Sequence, residues 1–342
     1  MDKELLSRIR EKISRNIGIK GDSYAVLSNP GYSPVHISED YFHDFDAKNS
    51  ENKIAFIDGG NMELISSSGI CLSLIRCYYC IYGENKRVEA KRSEFFAFVY
   101  SENKGEKVLF KAEIFNGAGI FESDGVLEFD SMDPDIRKGG SRADISSIPG
   151  IVRRIAELKI AQKLSEKLSK DDIIILDGNL QPSNKEEEKI LERLKRSAPI
   201  LAAISKTSSL MTDKGNAFSA VLESFEKPGK WYYYPIAHSE RLPEIFCVRL
   251  HGRSEYIFKL EAFPRQDFNP EEVFGLLASN CRDPVFIGYP YGLIEADGLA
   301  RIKNNEKDFY TSSLMASFGK EWKKLKPYIN TKNAHSVLDS IS

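Results

Sequence analysis

Two aspartates close runs of apolar residues of the kind that forms buried strands. Ile54-Ala-Phe-Ile57 leads into Asp58-Gly59-Gly60, and Ile173-Ile-Ile-Leu176 leads into Asp177-Gly178. A carboxylate at the carboxyl end of a central strand stands where α/β sheets hold their ligands. The glycine behind it lets the backbone turn away and leaves room for a bound group. A single Asp-Gly pair is also an ordinary turn, but two of them, each behind a core strand, favour a shared acidic site. A third acid, Glu157, is followed by Ala161, Leu164 and Leu168, four, seven and eleven residues on. At helical spacing its carboxylate falls beside the apolar stripe, away from Lys159, Lys163 and Glu166. A buried carboxylate is costly unless it is paired or holds a metal. The alternative to a metal is a guanidinium one turn back, at Arg153 or Arg154.

Three carboxylates on strand, helix and strand suit a hard divalent cation, because Mg²⁺ and Mn²⁺ take oxygen ligands and keep positions open for water and phosphate. Two such ions activate an attacking water and stabilise the leaving oxygen of a phosphodiester. Lys206, directly behind the apolar run Ile200–Ser205, is either a phosphate contact near this site or an ordinary solvated lysine. Other chemistries lack their residues. Cys77-Tyr-Tyr-Cys80 has CxxC spacing but lies in a strand-like run, where side chains three apart point to opposite faces. With no second CxxC to complete a zinc site, these read as buried structural cysteines. The chain has no GxxxxGK[ST] motif, so ATP hydrolysis is not expected of it. It has no GxSxG elbow either. Trp231-Tyr-Tyr-Tyr234 reads as strand core or a subunit contact, with base stacking as the alternative.

The elements that position these residues follow from periodicity. Residues 3–17 read as an amphipathic helix, and residues 18–52 as irregular. A strand at 54–58 ends in a glycine turn, and strands at 69–82, 93–101 and 107–116 form an antiparallel meander. Residues 122–146 read as a connecting segment. Pro149 opens a helix to about residue 168, followed by a buried strand at 172–177, a helix at 186–196 and a strand at 200–205. Residues 211–230 carry no clear element. Strands at 231–234, 245–250 and 256–262, a helix at 271–281, a short strand at 285–287 and helices at 293–302 and 333–341 complete the reading. One elaborated α/β domain over 1–342 is the simplest organisation, with an N-terminal helix and irregular extension at 1–50 and the core at 51–342.

Ile-Asp58-Gly-Gly, Arg154-Ile-Ala-Glu157, Ile-Leu-Asp177-Gly-Asn-Leu and Ile-Ser205-Lys206-Thr-Ser occur in the order seen in the NurA nuclease family, which this sequence resembles from about residue 50 to its C-terminal helix. The resemblance implies an RNase H-like mixed sheet flanked by helices. It also implies a manganese site, with magnesium as the other candidate ion, on Asp58, Glu157 and Asp177. A histidine near the C-terminus belongs to that site, and His335, beside the stripe Ala334, Val337, Leu338 and Ile341, matches it. An imidazole suits Mn²⁺ better than Mg²⁺. The sequence departs from the family at Gly59-Gly60, where many relatives have a serine and an aromatic residue.

By the same resemblance the protein is a homodimeric DNA nuclease. The role that the resemblance implies is 5′ end resection during recombinational double-strand break repair, with a HerA-type hexameric ATPase as the expected motor. An RNA- or guide-dependent nuclease on this fold and a non-catalytic nucleic-acid-binding module are the competing expectations. Composition is compatible with all three. With 48 basic and 50 acidic residues, any nucleic-acid surface must be a local groove rather than a general positive coat. An odd count of five cysteines in a chain of this size points to a reducing cytoplasm. No apolar run approaches the ~20 residues that cross a bilayer, and the N-terminus reads as a charged amphipathic helix rather than a signal peptide.

Overall fold

The computed structural model describes residues 2–16, 23–121, 125–137, 139–206, 209–263 and 268–324. His335 and the helix expected at 333–341 lie outside the described residues. In chain order the strands are β1 (Ala25–Val26), β2 (Ser33–Pro34), β3 (Phe42–Asp44), β4 (Lys53–Ser66), β5 (Ile70–Gly83), β6 (Lys86–Lys104), β7 (Lys107–Phe115) and β8 (Val126–Asp130). They continue with β9 (Ile173–Asp177), β10 (Ile200–Ser205), β11 (Met211–Thr212), β12 (Trp231–Tyr233), β13 (Ala237–His238), β14 (Glu244–Arg249) and β15 (Phe258–Ala262). The helices are α1 (Lys3–Asn16), α2 (Ile148–Ser165), α3 (Lys185–Leu194), α4 (Phe218–Glu223), α5 (Pro270–Ser279), α6 (Tyr291–Ala300) and α7 (Asn304–Phe318). Contacts divide the chain into two compact units, one of residues 1–50, 177–180 and 202–291, the other of residues 51–176, 181–201 and 292–342.

In the second unit the strands run in the order β9-β4-β5-β6-β7-β8. β9 lies parallel to β4 and the remaining neighbours are antiparallel, which makes the sheet mixed. The expected meander is present, with β6 longer than its apolar stretch because charged residues 86–92 continue to pair with β5. α2 covers one face and α6 the other. Arg153 of α2 donates to the Gly59 carbonyl at 2.8 Å. Cys80 donates to the Gly292 carbonyl of α6 at 3.4 Å. The CxxC cysteines therefore face opposite sides of β5, both buried. In the first unit, β3-β12-β14-β15-β10 form an antiparallel run. Trp231 and Tyr233 are buried there against Phe42 and Phe218, so the aromatic cluster is core.

Four local expectations are corrected. Asp58-Gly59 is not a turn: β4 runs on to Ser66 because β5 supplies a continuous ladder, with Gly59 opposite Cys77 and Gly60 opposite Arg76. Residues 126–130 form an edge strand on β7 rather than a plain connection. Residues 218–223 are helical. Val285, 88% exposed, has no ladder among the described residues, so the short apolar run 285–287 is a loop. α7 was not anticipated: it buries no residue fully, although Tyr310 and Leu314 pack partly buried against Leu64, Leu74 and Ile302.

Charge reinforces the packing of α7 on the sheet. Arg76, buried on β5, donates to Glu94 of β6, to the Arg301 carbonyl at 2.7 Å and to Glu306 of α7. The hydrogen bond from Arg76 is the main reason the Glu306 carboxyl is held down at about 2. A depressed carboxyl pKa contributes stability above its ordinary value near 4.5, which is lost as pH falls toward about 2. Glu306→Gln should therefore flatten the acid limb of a urea-stability profile in that window; an unchanged profile would discard the pair as a stabilising contact. α6 depends instead on close approach, since a Cβ on Gly292 would lie 2.0 Å from the Phe56 ring. Gly292→Ala should cost about 1–3 kcal/mol by overpacking, read from urea unfolding.

Candidate metal centre

The site starts from one register. Ile54 to Ile57 of β4 pair in parallel with Ile173 to Leu176 of β9. The next residue of each strand is an aspartate. Asp58 is opposite Tyr78 and Gly59 opposite Cys77. Residues opposite each other in an antiparallel pair share a face. Tyr78 donates from its hydroxyl to Glu295 of α6 at 2.6 Å, so the Asp58 side chain lies on the α6 face. α6 brings Asp297 there. Asp58, Asp177 and Asp297 each offer a carboxylate oxygen within 4.8 Å of the others, with Asp58 buried and the other two half-buried. Oxygens bound to one ion at ~2.0–2.6 Å stand at most about 5 Å apart, so these acids fit a single hard cation.

Like charges this close repel, and the fold sets cations against them. Lys206 pairs with Asp177 at 2.7 Å, its ammonium 5.9 Å from the centre of the Tyr289 ring. Arg301 pairs with Asp297 at 2.7 Å, one turn along. Behind Asp177 the chain turns at Gly178, whose φ of 110° is in the region that favours glycine. The Gly178 amide donates to the Ile204 carbonyl and its carbonyl accepts from the Ser205 hydroxyl at 2.7 Å. Those bonds fix the turn to the strand that carries Lys206.

Glu157 is 2% exposed and lies on the α2 face. It accepts from Arg153 at 2.6 Å and from Arg154 at 3.2 Å. Its carboxylate presses against Gly59, where a Cβ would lie 2.7 Å from its Oε1. The Cys77 thiol in the same spot is pushed well up by burial, with Glu157 and Asp58 adding to the rise and Arg153 opposing it. The structure thus brings Asp58, Asp177 and Lys206 together with Asp297. It sets Glu157 across the strand with a guanidinium on each oxygen. His335 lies outside the described residues.

Asp297 was missed, although its signal was present. It follows the buried Leu293 by four residues and precedes the buried Ala300 by three. That is the same helical placement of an acid against an apolar face that singled out Glu157. α6 itself is anchored through Glu295, which accepts from Tyr78, from Tyr82 at 2.5 Å and from Arg87 at 2.7 Å. Burial pushes the Glu295 carboxyl up, but those three donors outweigh it and leave the group below its ordinary value.

The NurA domain family model matches residues 52–302. Among curated proteins none matches the chain. The crystal structure of the NurA nuclease from Sulfolobus solfataricus superposes with a TM-score of 0.51 at 13% identity, covering 93% of this chain and 95% of that one. The fold is accordingly α/β and RNase H-like, a mixed sheet flanked by helices, as expected. The catalytic domain of human endonuclease V gives a TM-score of 0.37 at 12% identity, covering 93% of this chain and 99% of that one. Argonaute of Aquifex aeolicus gives 0.33 at 11%, covering 74% of this chain and 29% of that one. Likenesses as loose as these last two carry no inference.

Gly60 is the contact on which α6 ends, since a Cβ there would lie 2.5 Å from the Ala300 carbonyl oxygen. Gly60→Ala should force the end of α6 away from β4 and carry Asp297 with it. The expected result is a folded protein that has lost any rise in melting temperature that divalent cations give the wild type. A full cation-dependent rise in this variant would show that α6 does not position the centre.

Proposed function

The chain belongs to the NurA family of nuclease domains, and from that premise we propose that it is a divalent-metal-dependent deoxyribonuclease working at Asp58, Asp177 and Asp297. The observation that carries this reading is the convergence of three carboxylates, each offering an oxygen within 4.8 Å of the others. A bound Mn²⁺ or Mg²⁺ supplies a Lewis acid that makes water nucleophilic at neutral pH and offsets charge on the phosphodiester. The chain's own residues do the positioning. β4 and β9 hold Asp58 and Asp177 from the sheet, and α6 holds Asp297 from above it. The Lys206 ammonium, on Asp177, offers positive charge to a phosphate oxygen of the DNA. Glu157 stays a proposed ligand from the α2 side, with an entering dication competing against Arg153 for its carboxylate. His335 is the proposed imidazole ligand, and it is the ground for preferring Mn²⁺.

The finer assignment rests on the family. We place the activity in 5′ end resection at double-strand breaks, by a homodimer acting with a HerA-type hexameric translocase that supplies ATP-driven movement.

Purified protein, with and without such a translocase, is to be assayed on linear DNA with Mn²⁺, Mg²⁺ and EDTA. Asp58→Asn, Asp177→Asn and Asp297→Asn should each lower Mn²⁺-dependent cleavage by at least about a hundredfold while remaining folded. A wild-type protein that never cuts DNA with either ion, alone or with the motor, would overturn the enzyme reading. Full activity in Asp297→Asn would remove that residue from the centre.

A further inference from the structure

Within the unit of residues 1–50, 177–180 and 202–291, a recess of about 640 Å³ opens beside Lys206, walled by α4 on one side and by Glu255, Tyr256 and Ile257 on the other. Its size is within the ~300–1,000 Å³ typical of small-ligand sites. The wall contains an aromatic ring that the core does not consume. Tyr256 is 53% exposed. One side of its ring rests on Phe258, with centroids 6.2 Å apart and planes 25° from parallel. Phe286 meets it edge-on at 5.1 Å, and is itself stacked on the buried Tyr289 at 5.0 Å. The ring is therefore braced before any ligand arrives, and an exposed, braced aromatic face is what unpaired bases stack on.

The charges of the recess select which part of a nucleotide enters. Glu223, Glu226 and Glu255 line it. They repel a phosphate, but a carboxylate accepts hydrogen bonds from the exocyclic amines of bases, as Glu does from cytosine N4. Among the described residues of the lining the one cation is Lys206, whose ammonium is on Asp177. A strand with a phosphate at Lys206 would thus present its base, not its backbone, to the acidic interior.

We propose that this recess is a base subsite, taking the unpaired nucleobase next to the phosphate held at Lys206, stacked on Tyr256 with its amino group toward Glu223 and Glu255. The assignment rests on the nuclease reading above and adds the substrate class to it. The strand must be single or frayed at this position, because a paired base cannot turn its edge into the recess. Bases with an amino group are favoured over thymine, and thymine over an abasic position.

The test separates the two readings. A single-stranded oligonucleotide with 2-aminopurine moved one position at a time is titrated with the full-length protein in EDTA, so that binding is read without cleavage. Fluorescence should be quenched at one position, and the quench should vanish in Tyr256→Leu, whose folding is checked by its melting temperature. In Mn²⁺-dependent cleavage, Tyr256→Leu and an abasic substrate should each raise KM by about tenfold, with kcat moved far less. Glu223→Gln with Glu255→Gln should narrow the preference for cytosine over thymine. Cleavage by wild type with no position-specific quench and no effect of Tyr256→Leu would overturn the subsite and leave the nuclease reading standing. A Tyr256-dependent quench without any cleavage would support the subsite and sink the nuclease reading.

Discussion

Parallel pairing of β4 with β9, in the register that sets Ile57 beside Leu176, is the constraint from which the acidic centre follows. Parallel strands stand about 4.8 Å apart, so the residue after each partner, Asp58 on one strand and Asp177 on the other, is delivered to its neighbour by the backbone alone. Side-chain rotamers then need only small adjustments to share a ligand. Two carboxylates so placed repel each other, and a third from α6 adds to the repulsion. The salt bridges to Lys206 and Arg301 offset part of it, and a dication would offset the rest. The apolar ladder on one side of this register is what holds like charges together on the other.

The helices reach the centre because β4 has no side chains where they need to come close. Gly59 and Gly60 are consecutive strand residues, so they open opposite faces. Against Gly59 lies the Glu157 carboxylate of α2, and against Gly60 lies the Ala300 carbonyl of α6. Gly292 plays the same part from the helix side, above the Phe56 ring. Glycine in a strand normally weakens it; here β5 continues the ladder opposite both residues and keeps them extended. Polar ties complete the seat. Tyr78, Tyr82 and Arg87 converge on Glu295, two residues before Asp297, and Arg76 reaches the Arg301 carbonyl just beyond α6.

Charge is distributed unevenly enough to give the two sides of Lys206 different characters. Toward Asp177 it meets the acidic cluster. Toward the recess it is, among the described residues, the only basic one in a lining with three glutamates. A chain of near-zero net charge can still handle a polyanion if its cations are concentrated where phosphates pass and its carboxylates are kept for metal ions and bases.

Much of this was legible in the sequence. Apolar runs ending in Asp58 and Asp177, the helix with Glu157 inside its apolar stripe, the meander, and the order of short motifs gave the strands, α2, the mixed sheet and the family, because burial periodicity and family motifs are written locally. Tertiary structure decided the rest. It kept β4 extended through an Asp-Gly-Gly that reads as a turn, because a neighbouring strand outweighs a local propensity worth under about 1 kcal/mol. It added β8, whose weak alternation is stable only as an edge on β7. It set Arg153 and Arg154 against the two oxygens of Glu157. It recruited Asp297, which belongs to the centre only because α6 folds back over β4. Which distant carboxylates come within reach of one ion is a property of register and helix docking, and neither is encoded in the spacing of residues along the chain.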